Sequence, residues 1–274
     1  MKNNYKVSIP LAIIITMAAV IYQRATGPTY PEKIYIGLDK DATVRVKLPR
    51  SHGGNTGAPV EIPKIKDLTG VELTYKRYPT NDEWTVVNLE EKGNRFAMTL
   101  PNQPPAGKLT YFLKLNFGDK SQEFHSKEDP IYIRYKGDVP TYILAPHVFF
   151  MFFSMLLSAM AFFEAIFKTE SAVKIARVTL GSLMIGGMCL GPIVQKFAFG
   201  VYWAGFPYDW DLTDNKLLIG VLAWLTAVLL TLKSKRRWPI IVAASILIAI
   251  YCIPHSMQGS EFNYEKGVVE TDID

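Results

Sequence analysis

The sequence predicts an α+β membrane protein, in which an extracytoplasmic antiparallel β-sandwich is joined to a transmembrane helical bundle. Three observations predict this fold class. One apolar run lies near the N-terminus and four lie in the C-terminal half, residues 24–140 hold most of the charge, and apolar and polar residues alternate in that charged part. Hydrophobic residues make up 49% of the chain and charged residues 20%, so the two kinds must be segregated.

The first apolar run, residues 7–22, follows Lys2 and Lys6 and has the length of a signal peptide or a signal anchor. We favour an anchor, because residues 21–24 continue as an interfacial flank where a signal peptide would have its cleavage site. Residues 1–23 are therefore predicted to form an N-terminal signal anchor or transmembrane helix.

Four further apolar runs predict a four-helix transmembrane domain over residues 141–256. All but the first are near the short end for a spanning helix, so their flanking Lys, Trp and Tyr residues must reach the interfaces. With the N-terminal anchor they make five spans. The four runs are residues 142–167, 178–194, 217–232 and 239–253.

Basic residues fill two short loops between the predicted spans. One loop carries Lys168, Lys174 and Arg177, and the other carries four basic residues within positions 233–237. Because loops rich in lysine and arginine stay on the cytoplasmic side, both loops and the N-terminus are predicted to be cytoplasmic in a bacterial inner (plasma) membrane. The parts then predicted to lie outside are the domain over residues 24–140, the loop 199–216 and the acidic tail over residues 257–274.

Alternating segments predict seven short strands in the exported domain. In residues 109–117, the odd-numbered positions are apolar and share one face of a half-buried strand. Seven strands predict a sandwich, and the stretch 100–108 resembles the corner of immunoglobulin-like or fibronectin type III domains. Residues 50–54 are predicted to be a loop that presents His52. The predicted strands are residues 33–38, 43–48, 71–78, 84–89, 95–100, 109–117 and 131–135.

Charge and cysteine content argue against several kinds of function. The net charge is +5, but the basic residues are spread over the exported domain or gathered in short loops, so membrane orientation explains them and no nucleic-acid partner is predicted. The two cysteines, Cys189 and Cys252, both lie in predicted spans, which argues against a disulfide scaffold. No CxxCH haem-attachment motif is present.

Two histidines and several carboxylates are predicted to lie together at the outer membrane face. His147 lies about five residues into the second span, and His255 follows the last span. The outer loop supplies Asp211 and Asp214 as possible metal ligands. Met151 shares a helix face with His147, and its thioether suits Cu(I) or haem iron. Because neutral imidazole binds both metals and haem, these residues are candidates for a haem b or copper site.

Each of these features also has a structural interpretation that the sequence leaves open. Interfacial histidines can bind backbone or lipid head groups, and methionine commonly fills apolar helix packing. Thr213 or Asp214 can cap the helix of the fourth span. Glu164, the one acidic residue inside a predicted span, is expected to extend its side chain to the cytoplasmic interface. Gly187 and Gly191 form a GxxxG pattern that allows close helix approach.

Four stretches resemble signature stretches of a bacterial membrane-protein family with an extracytoplasmic immunoglobulin- or fibronectin-like domain. Three of them read TGPTYP, APHV and IPHS, and the fourth begins with Gly191-Pro192 and ends at Lys216. The resemblance implies the same two-part architecture, but it implies no activity and transfers no functional residues. The stretches are residues 26–31, 145–148, 191–216 and 253–256.

The sequence carries no evident catalytic signature, which favours a role other than catalysis. We expect an integral membrane accessory subunit, whose exported domain binds a membrane or periplasmic protein and whose helices contact the lipid bilayer. The alternative is a redox or metal-handling membrane protein that binds haem b or copper at the outer membrane face through His147 and His255.

Overall fold

The computed structural model describes residues 3–37, 43–232, 234, 236–253 and 259–271. In these residues the protein is a mixed α/β protein with four long apolar helices and several antiparallel sheets. The helices are α1 (Tyr5–Thr26), α2 (Thr141–Ile166), α3 (Ser171–Leu183), a π-helical segment (Met184–Leu190), α4 (Gly191–Phe199), α5 (Leu212–Leu232) and α6 (Trp238–Cys252).

Four helical stretches are long and apolar enough to cross a membrane. Three are α1, α2 and α5, and the fourth is the continuous stretch Ser171–Phe199, in which α3, the π-helical segment and α4 follow one another without a break. The last predicted span corresponds to α6, which has 15 residues. At 1.5 Å per residue α6 is about 22 Å long, whereas the hydrocarbon core of a bilayer is about 30 Å thick.

The strands form one large sheet and three smaller ones. The strands are β1 (Glu32–Ile36), β2 (Val44–Leu48), β3 (Ser51–Gly53), β4 (Ala58–Pro63), β5 (Gly70–Tyr78), β6 (Thr85–Asn88), β7 (Glu90–Lys92), β8 (Arg95–Leu100), β9 (Lys108–Phe117), β10 (Lys120–Phe124), β11 (Ile131–Lys136), β12 (Glu261–Asn263) and β13 (Val268–Glu270). The large sheet has the order β3-β11-β9-β5-β6, and β10 also pairs with β9. The smaller sheets are β4-β8-β7, β1-β2 and β12-β13. Every pairing is antiparallel except that of β3 with β11.

Buried side chains from the large sheet, from β4-β8-β7 and from β1-β2 form one hydrophobic cluster. The alternation predicted over residues 109–117 is confirmed, because the odd-numbered side chains of β9 are all buried in this cluster. Alternation along a strand sends the other set of side chains to the opposite face. On β11 the inward set is Ile131, Ile133 and Tyr135, so Arg134 projects from the face opposite this core.

All seven predicted strands are present, although position 38, the predicted end of the first, lies outside the described residues. The structure also contains strands that were not predicted from the sequence. β4 contains Pro59 and Pro63, which argue against a strand, but it is an edge strand where proline is tolerated. The prediction of a loop over residues 50–54 is wrong, because residues 51–53 form β3, which pairs with β11. The side chain of His52 lies next to Thr56, with 3.1 Å between Nε2 and Oγ1.

Glu164 is buried at one end of the helical bundle, where its side chain bonds to other parts of the chain instead of extending into solvent. Its side chain is fully buried, and its carboxylate joins the N-terminal ends of α1 and α3 to the C-terminal end of α2. Helix N-termini present unpaired amides and a partial positive charge, which a carboxylate satisfies. The donors are the Asn4 amide (3.1 Å), Ser8 Oγ (2.7 Å), Thr169 Oγ1 (2.5 Å) and Ser171 Oγ (2.6 Å).

The sheets contact the helical bundle directly at the residues that follow β11. The Gly137 amide donates to the Ala198 carbonyl oxygen at 2.9 Å. A Cβ atom at Gly137 would lie 2.3 Å from the carbonyl oxygen of Phe197, which is too close for any residue that has a side chain. The backbone of the sheet part can therefore approach the end of α4 at this position.

The β12-β13 hairpin packs on the sheet part, although the sequence suggested only an acidic tail. Glu261 forms an ion pair with Lys108, and the Phe262 amide donates to the Ala106 carbonyl at 3.2 Å. Burial raises the pKa of Tyr264 to about 12, so its hydroxyl stays protonated and donates to Gln103 Oε1 at 2.9 Å. The C-terminal segment thus closes over the junction between sheets and helices.

Candidate functional site

A cavity of about 370 Å³ lies where the helical bundle meets the sheet part. It is lined by α2, α5, α6 and the stretch from α3 to α4, and by β11 at one end. The helical walls are mostly apolar, with side chains such as Val148, Leu183 and Leu247, and they also carry the polar residues His147 and Gln195. The end next to the sheets is charged. The cavity therefore has an apolar body and a polar end.

His147 lines this cavity from α2 and is held in one orientation. Its Nδ1 lies 2.8 Å from the carbonyl oxygen of Gly186. Because a carbonyl only accepts hydrogen bonds, Nδ1 carries the proton and Nε2 of the neutral ring remains an acceptor. Gly186 belongs to the π-helical segment, a geometry that is frequent at functional sites.

Glycines in and directly after the π-helical segment allow neighbouring helices to pack closely against it. A Cβ atom at Gly186 would lie 2.7 Å from Phe150 Cβ, and one at Gly187 would lie 2.4 Å from Leu217 Cδ1. Gly191 borders the histidine ring, since its Cβ would meet His147 Cε1 at 3.8 Å. The predicted GxxxG pattern thus serves packing within this bundle.

Met151 lies one helical turn from His147 and lines the same cavity. Its backbone carbonyl accepts a hydrogen bond from the Tyr251 hydroxyl at 3.0 Å, which ties α2 to α6. Met155, one turn further, is buried in the bundle core. His147 and Met151, which were predicted to share a helix face, therefore both line the cavity.

Asp211 caps α5, so the prediction of Thr213 or Asp214 as the cap is wrong. Its Oδ1 accepts hydrogen bonds from the amides of Thr213 (2.8 Å) and Asp214 (3.2 Å). Its Oδ2 accepts hydrogen bonds from the amide (2.8 Å) and the hydroxyl (2.9 Å) of Ser260. This cap starts α5 five residues before the predicted start of the span, and it ties the C-terminal segment to the bundle.

Asp214 holds the loop between α4 and α5 against the start of α5. Its Oδ2 accepts a hydrogen bond from the Ala204 amide at 2.7 Å, and Asn215 Oδ1 accepts one from the Phe206 amide at 2.8 Å. A Cβ atom at Gly205 would lie 2.8 Å from Asp214 Cβ, so the loop needs a glycine there. Both cavity carboxylates are therefore used to organise backbone amides.

Arg134 reaches the cavity from β11 and was not predicted by the sequence reading. It is 9% exposed, its guanidinium lies 4.2 Å from the ring centre of Phe199, and its Nη2 donates to the Ser260 carbonyl. Its Nε is buried and has no hydrogen-bond partner among the described residues. Burial lowers the pKa of Arg134, and the charges of Asp211 and Glu261 oppose this shift, so the guanidinium stays charged.

Lys216 is the second buried cation on the cavity wall. Its Nζ donates to the carbonyl oxygen of Ile253 at 3.2 Å, at the C-terminal end of α6. A cation there complements the helix dipole. Its place directly before the predicted fourth span was visible in the sequence, but its contact with α6 was not.

The structure brings four of the five predicted site residues to one cavity. They are His147, Met151, Asp211 and Asp214, whereas His255 lies outside the described residues. Within the described part of the chain, no group of three or more His, Cys, Asp or Glu side chains is placed to hold a metal ion. The ligand roles of these residues stay predictions.

No protein-family model, curated protein or solved structure matches this chain. The function is therefore inferred from the cavity itself: its walls, its buried charges and the way that the sheet part and the C-terminal segment close its polar end.

Proposed function

We propose that the chain is an integral membrane accessory protein that binds an amphipathic small molecule in this cavity at the outer membrane face. The observation that carries the proposal is the cavity's division into apolar helical walls and one end with buried charges. Binding sites for small molecules are mostly apolar, have volumes of about 300–1,000 Å³ and contain a few placed polar groups. We also propose that the sheet part binds a partner protein. Purification in mild detergent tests this proposal, because the partner should then co-purify with the chain.

Exposed aromatic side chains at the two ends of the bundle support membrane insertion. Tyr142, Tyr208 and Trp210 are exposed near the end next to the sheets, and Trp238 is exposed at the opposite end. Aromatic residues concentrate at the two membrane interfaces. In the proposed orientation the sheet part and the C-terminus are extracytoplasmic, and the basic loops are cytoplasmic.

The shared core of three sheets supports a β-sandwich for the extracytoplasmic part. The large sheet and β4-β8-β7 contribute to one hydrophobic cluster, as the two facing sheets of a sandwich do. An immunoglobulin- or fibronectin-like arrangement is the form that we propose.

Cysteine labelling tests this orientation. Cys189 and Cys252 are replaced by serine, and a single cysteine is placed either at Tyr208 in the outer loop or at Ser234 between α5 and α6. In spheroplasts, a membrane-impermeant maleimide is expected to label the first variant at once and the second only after permeabilisation. Labelling in the reverse order would contradict the orientation, and equal labelling in intact spheroplasts would contradict insertion.

Filling the cavity is expected to displace its ligand. A Cβ atom at Gly191 makes only ordinary contacts, 3.7 Å from Gly186 O and 3.8 Å from His147 Cε1, so the rest of a leucine side chain in G191L enters the cavity. Because the added side chain takes up space that the ligand needs, we expect the affinity of G191L for the ligand to be lower by about tenfold or more. Native mass spectrometry of detergent-purified protein measures the bound molecule.

G181L is the matched control, because a Cβ atom at Gly181 meets nothing within 4 Å. It is expected to retain the ligand that the unmodified protein carries. Equal occupancy in both variants would show that the molecule binds elsewhere, and a purified protein with no bound amphiphile that also takes up none would defeat the proposal.

A second candidate, a haem or copper cofactor, is favoured by one observation at His147. Histidines that bind metals usually donate their other ring N–H to a carbonyl or carboxylate, as Nδ1 does here to Gly186. On this alternative Nε2 is the ligand atom, with Met151 beside it. Absorption spectra of the same samples, oxidised and dithionite-reduced, together with metal analysis distinguish it: a signal lost in H147A supports a cofactor, and a featureless, metal-free sample opposes it.

A further inference from the structure

We infer that the ligand carries an anionic oxygen group, a carboxylate or a phosphate, on an apolar chain, and that Arg134 binds this group. The inference rests on the proposed ligand-binding function of the cavity and adds the chemical class of the ligand. It follows from which hydrogen-bond donors and acceptors at the polar end of the cavity already have partners within the protein.

Arg134 has unused donor capacity at a buried position. A guanidinium has five N–H donors, and among the described residues the side chain makes one hydrogen bond, from Nη2 to the Ser260 carbonyl. Phe199 covers one face of the guanidinium, and the buried Nε has no partner in the described part of the chain. Nη1 makes no hydrogen bond among the described residues, so the protein itself leaves a donor of Arg134 unused at the charged end of the cavity, and a ligand oxygen can accept from it.

The nearby carboxylates already accept hydrogen bonds from other parts of the chain. Asp211 accepts hydrogen bonds from two α5 amides and from the amide and hydroxyl of Ser260, and Asp214 accepts one from the Ala204 amide. By contrast, the Arg134 side chain donates only to the neutral carbonyl of Ser260 among the described residues. Ionised oxygens make hydrogen bonds to a guanidinium that are about twice as strong as neutral ones, so an anionic head is favoured.

The rest of the cavity accommodates a hydrocarbon chain. Beyond the charged end, the wall is formed by apolar side chains such as Val148, Phe152, Leu183 and Leu247. A free anion would leave these surfaces without contacts, and a fully apolar molecule would leave the unused donor of Arg134 without an acceptor. One molecule with both parts satisfies both ends of the cavity.

A series of ligands with the same chain tests the head-group preference. Dodecanoate, dodecyl phosphate, dodecanol and inorganic phosphate are titrated into the full-length protein in nonionic detergent, and binding is measured by native mass spectrometry. We expect dodecanoate and dodecyl phosphate to bind roughly 10- to 100-fold more tightly than dodecanol, because their hydrogen bonds to Arg134 are charge-assisted. The tighter of the two identifies the head group. Inorganic phosphate is expected to bind weakly, since it lacks the chain.

R134Q tests the role of the arginine and is expected to abolish the preference while dodecanol still binds. R95Q, at an exposed arginine of β8, is the matched control and is expected to keep the preference. If R134Q does not fold, R134K replaces it, and a reduced preference is expected because lysine has no planar fork. Equal binding of dodecanol and the two anions would overturn the inference but leave the cavity proposal intact. Binding of none of the three chains would overturn both.

Discussion

Replacing Glu164 by alanine is expected to lower the free energy of unfolding of the helical bundle by about 3 kcal/mol or more. The carboxylate is fully buried and accepts hydrogen bonds from four donor groups at the start of α1, in the loop after α2 and at the start of α3. Removing it leaves buried donors unsatisfied, at a cost of about 1–3 kcal/mol for each that finds no new partner. The N-terminal end of α1 should loosen first, because its N-cap residue, Asn4, makes no capping bond with its own side chain.

Thermal unfolding in detergent, followed by intrinsic fluorescence, measures this effect, and protease sensitivity near Asn4 reports on α1. E164Q keeps one acceptor oxygen and should be intermediate. The matched control is E83A, at an exposed residue of the sheet part. If E164A unfolded at the same temperature as E83A, the carboxylate would not hold the helices together.

Replacing Asp211 by alanine is expected to lower the free energy of unfolding by about 3 kcal/mol and to release the C-terminal segment. Loss of the α5 cap costs about 1 kcal/mol, and leaving the amide and hydroxyl of Ser260 without their acceptor costs about 1–3 kcal/mol more. The buried charge of Arg134 also loses a compensating carboxylate. The effect therefore spreads from one helix end to the sheet part.

Hydrogen exchange of residues 259–271 and the unfolding midpoint in detergent check this prediction. D211N retains an oxygen that can cap α5 but no charge, so it should show a smaller loss of stability than D211A. D119A, in the exposed turn between β9 and β10, is the matched control. Protection of residues 259–271 that is unchanged in D211A would contradict the proposed tie between the C-terminal segment and α5.

The same contacts link stability to the proposed function. Ser260 bonds to Asp211 on one side and to Arg134 on the other, so the C-terminal segment closes the cavity at its charged end. A ligand that engages Arg134 should therefore also protect this segment from exchange. Closure of the site and recognition of the ligand head group would depend on the same few residues.

Local sequence patterns were sufficient to predict the features that depend on neighbouring residues. Apolar runs predicted the helices, and alternation predicted seven strands and the buried face of β9, because burial follows the period of each kind of secondary structure. The sequence also singled out His147, Met151, Asp211 and Asp214, because polar or sulfur-containing residues near apolar runs stand out from their surroundings.

How these residues are used could not be predicted in this way, because their contacts join positions far apart in the chain. Arg134 and Ser260 are 126 residues apart, and Glu164 and Ser8 are 156 apart. Local patterns carry no signal for such pairs: Arg134 reads as an ordinary outward residue of a strand, and Glu164 as a charge near a membrane surface. Their roles follow from how buried donors and acceptors are paired across the fold. Arg134 is a candidate ligand-binding residue because it keeps donors unused among the described residues, and Glu164 links the helices because its carboxylate accepts hydrogen bonds from α1 and α3.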